Sequence, residues 1–136
     1  MGYKMIAIDT NIIVRFLTKD DEHQYQKSYT LFANTTELFI PTTVILETEW
    51  VLRFSYRFNA EQITNALLAL INLQNVKVEY KENIITALNW HQQGMDFADA
   101  LHLASSLLNA KQFASFDKKF LKKAMVLNTG LEMLDI

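Results

Sequence analysis

Hydrophobic and polar positions along this chain change period several times, and the changes mark out alternating strands and helices. Lys4 to Ile8 is a short apolar-rich run closed by Asp9, which predicts a buried strand. Thr10-Asn11 opens a helical segment, Ile12 to Leu17. Asp20-Asp21-Glu22 places three acids where a helix N-terminus favours them, so a second helix is expected to about Phe32. Glu37 to Ile40 is a short strand closed by Pro41, and Thr42 or Thr43 is positioned to cap a long helix to about Tyr56. Asn59-Ala60-Glu61-Gln62 has the form of a capping box and predicts a helix through Leu73. Val76 to Tyr80 alternates apolar and charged residues, as a half-exposed strand does. Lys81 to Gln93 is helical and stops at Gly94, and Asp96 begins another helix to about Ala110. Gln112 to Phe116 is a strand ending at Asp117, Lys118 to Lys123 a short basic helix, and Val126-Leu127 and Leu131 to Leu134 weak strands. This alternation predicts an α/β fold: a parallel sheet with helices on both faces.

Composition narrows the class. A chain of 136 residues, 50% hydrophobic, is expected to form one domain, 1–136, around a single core. Three glycines and one proline are too few for a disordered chain or a sandwich of many short strands. The absence of cysteine excludes a disulfide framework, a thiolate zinc site and a thiol nucleophile. The longest apolar run, Ala66 to Ile71, is far below a membrane span, and Asp9 interrupts the first residues before a signal-peptide core could form. A cytoplasmic, membrane-free location is the expectation.

The carboxylates carry the chemistry. In parallel α/β sheets, ligands bind outside the carboxyl ends of the strands. Two predicted strands end in Asp there, at Asp9 and Asp117. Each is equally well suited to cap the helix that follows. In the helix after Pro41, Glu47 falls among Trp50, Val51 and Phe54 on what reads as the apolar arc, whereas Glu49 points away and can pair with Arg53 at i+4. A carboxylate on a buried arc is costly unless paired or bound to a cation, so Glu47 is the expected site residue and Glu49 the surface one. In the Asp96 helix, Asp99 shares a stripe with His102 and Ser106, although Asp96 as N-cap and Asp99 one turn on also suit the helix dipole. Meeting at one sheet edge, the four acids would repel one another unless a cation neutralised them. Oxygen-only donors favour a hard ion, Mg²⁺ or Mn²⁺, which can orient a water and stabilise charge on a phosphoryl oxygen.

The same stretches carry a family resemblance. IDTNIIVRFL, IPTTVILETEWVL, DFADALHLASS and ASFDKKF, in that order, resemble the PIN-domain family, specifically VapC-type toxin ribonucleases of toxin–antitoxin systems. The resemblance implies a three-layer fold with a short, mostly parallel central sheet. It also implies a metal-binding and catalytic quartet, which falls on Asp9, Glu47, Asp99 and Asp117. Thr10, Asn11, Asp96 and Ser115 match supporting positions, with Ser115 standing where Thr is frequent. The implied activity is metal-dependent endoribonucleolytic hydrolysis of RNA phosphodiesters. The implied partners are a small antitoxin protein and a second copy of the chain, in a homodimer.

Net acidity does not argue against a polyanionic substrate, although a solvated face is the usual reading of a lysine run. Setting the four acids aside leaves eleven acids against 13 basic residues, and five lysines fall between Lys111 and Lys123. Arg15, Lys118 and Lys119 are candidate RNA contacts; Phe54, Tyr56 and Phe58 are candidates for an apolar partner surface. Two other readings exist. A non-catalytic binding module could use the same fold, but it would have no need of a complete acidic set. A haloacid-dehalogenase-like phosphohydrolase would want a second Asp at position 11, where this chain has Asn.

Overall fold

The computed structural model describes residues 5–136. The expected strand start at Lys4 lies outside them. The chain forms two compact units, one up to Lys81 and one from Glu82.

In the first unit, strands β1 (Ile6–Ala7), β2 (Leu38–Ile40) and β3 (Val76–Val78) pair in parallel in the order β1-β2-β3. Ile6 stands opposite Leu38, and Leu38 opposite Val76. Parallel neighbours need long crossovers, and helices supply both. Helices α1 (Thr10–Thr18) and α2 (Glu22–Asn34) join β1 to β2, and α3 (Thr42–Ser55) and α4 (Ala60–Ile71) join β2 to β3. The helix boundaries follow the capping chemistry. Asp9 and Asp21 cap α1 and α2, and α4 starts at a complete Asn59–Gln62 capping box, with reciprocal bonds of 2.8 Å. Lys19 ends α1 in the left-handed region, at φ 56°.

The start of α3 differs from expectation. Neither Thr42 nor Thr43 caps it; the cap position is Pro41, with no side-chain bond. Thr42 is occupied elsewhere. Its backbone N–H donates to Glu79 Oε1 at 2.9 Å and its hydroxyl to the Glu79 carbonyl at 3.0 Å, tying this helix end to the residue after β3. Leu38, Ile40, Ile13, Ile45, Leu52 and Leu67 are fully buried, so one apolar core holds strands and helices together in this unit.

In the second unit, α5 (Lys81–Gln92), which starts at the unit boundary, is followed by α6 (Phe97–Ser106), β4 (Gln112–Ser115), α7 (Lys118–Leu127) and β5 (Glu132–Asp135). Strands β4 and β5 pair in parallel around α7, with Ser115 opposite Asp135. Gly94 follows α5 at φ +111°, a conformation that a side chain would strain. Helix α6 ends at Ser106, short of the expected Ala110, and α7 runs past the expected Lys123 to Leu127. Val126-Leu127 is therefore helical and not a strand. The buried Phe120, Leu121 and Ala124 set a three-to-four-residue spacing that continues into the half-buried Leu127.

All three strand pairings are parallel, and seven helices occur among the described residues, an α/β fold as the sequence predicts. The strands preceding Asp9 and Asp117 do not share one ladder, however: β1 pairs with β2, and β4 with β5. At two to four residues each, these strands carry few ladder bonds.

Candidate active site

Asp9 leaves β1 at Ile8 and caps α1. Its carboxylate accepts from the Thr10 backbone N–H at 2.7 Å, and the group stays exposed. Thr10 is buried, and its hydroxyl donates to Glu47 Oε1 on α3. The bond spans 37 residues of sequence and fixes the Glu47 carboxylate beside the first turn of α1. Asn11, the next residue of α1, is exposed. Asp9, Thr10 and Glu47 thus form one connected group in the first unit.

The burial of the two glutamates is the reverse of the expectation. Glu47 is exposed, whereas Glu49 retains 1% of its surface. Helix α3 turns Ile45, Thr48, Glu49 and Leu52 inward, an i, i+3, i+4, i+7 stripe, and leaves Trp50 and Phe54 half in solvent. The helix is apolar on two sides, and the aromatic side is the outer one. Glu49 tolerates burial because Arg53 Nε donates to it at 2.8 Å. Glu47 shares the outer face with Trp50 and Phe54, whose rings lie 4.8 Å apart. Of the expected apolar partner surface, Phe54 is exposed, and Tyr56 and Phe58 are half-buried.

In the second unit, Asp96 caps α6, accepting from the Asp99 backbone N–H at 3.2 Å, and Asp117 caps α7, accepting from the Phe120 N–H at 3.1 Å. Ser115 Oγ in turn accepts from the Asp117 N–H at 3.0 Å, which sets the turn from β4 into α7. The capping and site roles therefore coincide in the same carboxylates. Burial pushes the Asp99 carboxyl above its ordinary value, and the negative charges of Asp96 and Asp117 add to the shift. His102 and Lys123 oppose it through their charge. Asp96 and Asp117 are thus both within electrostatic reach of Asp99.

A raised folded-state pKa means that the contribution of Asp99 to stability is complete below the ordinary carboxylate value of 3.8 and is lost as pH rises through the raised one. At neutral pH the ionised group is a net cost. Metal-free Asp99→Asn is accordingly expected to melt above the wild type at pH 7, with the advantage gone below about pH 4. Thermal unfolding in EDTA at both pH values checks this. Equal melting temperatures at pH 7 would contradict it.

The basic candidates differ in how far they are engaged. Arg15 is already paired: Nη1 lies 2.9 Å from Asp20 Oδ1 and donates to the Tyr56 hydroxyl, and Nε donates to Gln24. The Tyr56 hydroxyl donates to Asp20 at 2.6 Å, and that bond is the main cause holding the Asp20 carboxyl below its ordinary value. Much of the Arg15 charge is thereby compensated. Lys118 and Lys119 are exposed in the first turn of α7, directly after the Asp117 cap. Among the described residues, the ion pair of Lys118 is a long contact, 3.8 Å, to Asp135.

The donor set is chemically suited to a hard divalent cation, being carboxylate oxygens with neighbouring hydroxyls. Among the described residues, neither unit by itself gathers three or more His, Asp or Glu side chains that could hold a metal ion. A cleft of about 270 Å³ between α1 and α2 begins at Asn11 and is lined by Arg15, His23 and Lys27, among others. His23 and Lys27 were not evident from the sequence, because only the packing of α2 on α1 brings them beside Asn11.

Comparison with known proteins supports the family resemblance. The chain is 27% identical over 126 residues to a VapC ribonuclease of Aquifex aeolicus (strain VF5), an alignment covering 87% of this chain and 91% of that protein. The sequence model of the PIN domain matches residues 6–125, a span that includes Asp9, Glu47, Asp99 and Asp117 and runs through both units. On that match, the chain belongs to the PIN domain family.

Proposed function

We propose that this chain is a divalent-metal-dependent endoribonuclease, the toxin of a toxin–antitoxin pair, with 1–136 acting as a single PIN-like domain. The observation that carries the reading is the family match spanning residues 6–125, within which Asp9, Glu47, Asp99 and Asp117 all fall. The VapC ribonuclease relative points to RNA as the substrate.

In this reading Asp9, Glu47, Asp99 and Asp117 hold Mg²⁺ or Mn²⁺, an ion that lowers the pKa of water and neutralises charge developing on a phosphoryl oxygen. The remaining roles belong to this chain's own groups. The Thr10 hydroxyl holds Glu47 in a fixed orientation. Asp96 and Ser115 hold the backbone at Asp99 and Asp117, so those two carboxylates are presented from capped, ordered helix starts. Such preorganisation avoids a reorganisation cost during reaction. Asn11 stands next to this group as a polar support. Lys118 and Lys119 draw the phosphate backbone towards the start of α7. The exposed Trp50–Phe54 face of α3 supplies the apolar area for the antitoxin or for a second copy in a homodimer. No helix among the described residues is long and apolar enough to cross a membrane.

The test is RNA cleavage by the purified chain with Mn²⁺ or Mg²⁺ and with EDTA. Internal cleavage with metal, abolished by EDTA, is expected. RNA left intact in every condition would favour a non-catalytic binding module.

A further inference from the structure

The cleft between α1 and α2 has features that the nuclease reading does not use. Its walls include Ile12 and Arg15 from α1 and His23, Gln24 and Lys27 from α2, with Asn11 at one end, and no carboxylate lines it. In a chain with a net charge of −2, the charge that this cleft presents is that of Lys27, with the His23 imidazole one turn away. His23 and Lys27 are exposed, lie one turn apart on α2, and have no ion pair or side-chain hydrogen bond among the described residues. Arg15 is the opposite case: its guanidinium is fixed by Asp20, Gln24 and Tyr56, so it shapes the cleft more than it charges it. Asn11 and Arg15 mark a length of about 6 Å along α1, and Asn11 is two residues from Asp9.

We propose that this cleft is a nucleotide subsite for single-stranded RNA, seating one nucleotide beside the one whose phosphodiester is cut. The base rests against Ile12 and the aliphatic stem of Arg15. Lys27 and His23 meet its phosphate, and the side-chain amides of Asn11 and Gln24 face its polar edge. The volume of about 270 Å³ is of the order that a single nucleotide fills. This subsite rests on the ribonuclease reading, but it concerns binding and not bond cleavage, so the two can fail separately.

The test is fluorescence anisotropy of a labelled single-stranded RNA oligonucleotide with the full chain in EDTA. The wild type is compared with Lys27→Gln, with the Lys27→Gln/His23→Gln double variant, and with Lys77→Gln, which removes an exposed lysine of β3. The double variant is expected to bind roughly tenfold more weakly at low salt, and Lys27→Gln to flatten the log–log salt dependence by about 0.7. Lys77→Gln should match the wild type, and polyphosphate should compete less well than unlabelled RNA. Unchanged binding in the double variant, or an equal loss in Lys77→Gln, would overturn the subsite while leaving the ribonuclease reading standing. Polyphosphate competing as well as RNA would overturn the seated base. An acidic peptide that needs Lys27 and His23 while RNA does not would assign the cleft to a protein ligand instead. Failure of the wild type to bind RNA in EDTA would overturn the subsite, and the ribonuclease reading is then decided by cleavage with metal.

Discussion

Glu47→Gln is expected to reduce RNA cleavage by orders of magnitude while leaving the melting temperature near that of the wild type. The side chain is exposed, so its neutralisation disturbs no packing. Gln retains an oxygen to accept the Thr10 hydroxyl, and what is lost is the charge that holds the cation. Glu49→Gln should behave in the opposite way. Glu49 is buried and bonded to Arg53, and removing a buried charge from such a pair is destabilising. Arg53 is 37% exposed, which moderates the loss to about 1–3 kcal/mol. Thermal unfolding and a cleavage assay on the same two proteins separate these effects. Intact activity in Glu47→Gln would remove that residue from the site, whatever its partner Thr10 does.

Divalent metal is expected to stabilise the folded chain strongly. Asp96 and Asp117 each repel the Asp99 carboxylate within the second unit, and a cation relieves this repulsion. At a hundredfold excess over its dissociation constant, a ligand specific for the folded state adds about 2.7 kcal/mol by mass action. For a domain of this length that is a rise of roughly 8 °C in melting temperature. Asp117→Asn should retain the cap on α7, since Asn serves that role as well as Asp, yet lose most of the metal-induced rise. Scanning calorimetry with Mn²⁺ and with EDTA reads both quantities. A metal-independent melting temperature in the wild type would count against any cation site built on these acids.

The parts of the fold legible in the sequence were those written in local chemistry. The Asn59–Gln62 capping box, the acid-rich start of α2, the stop at Gly94 and the alternation in β3 each specify structure within a few residues. Asp9, Asp96 and Asp117 were legible as residues at element ends for the same reason, and the structure places all three as caps. Helical phase in α3 was not legible. Trp50, Val51 and Phe54 outweigh Ile45 and Leu52 in apolar bulk, so the larger side chains drew the arc to the wrong side of the helix. Only tertiary packing decides which of two apolar faces turns inward. The Thr42–Glu79 tie and the cleft beside Asn11 depend on residues far apart in sequence, which no local pattern encodes. The separate β1-β2-β3 and β4-β5 pairings were not legible, because strand-end motifs report where strands stop and not which neighbours they choose.

The central claim is that acids from both units serve one metal-dependent cleavage of RNA. It is tested most directly by measuring cleavage with Mn²⁺ for the full chain carrying Asp9→Asn or Asp99→Asn, one substitution in each unit, beside the wild type. The account predicts cleavage by the wild type that EDTA abolishes, and its loss by orders of magnitude in both variants with each still folded. Wild-type cleavage that persists in EDTA, or full activity in either variant, would contradict it.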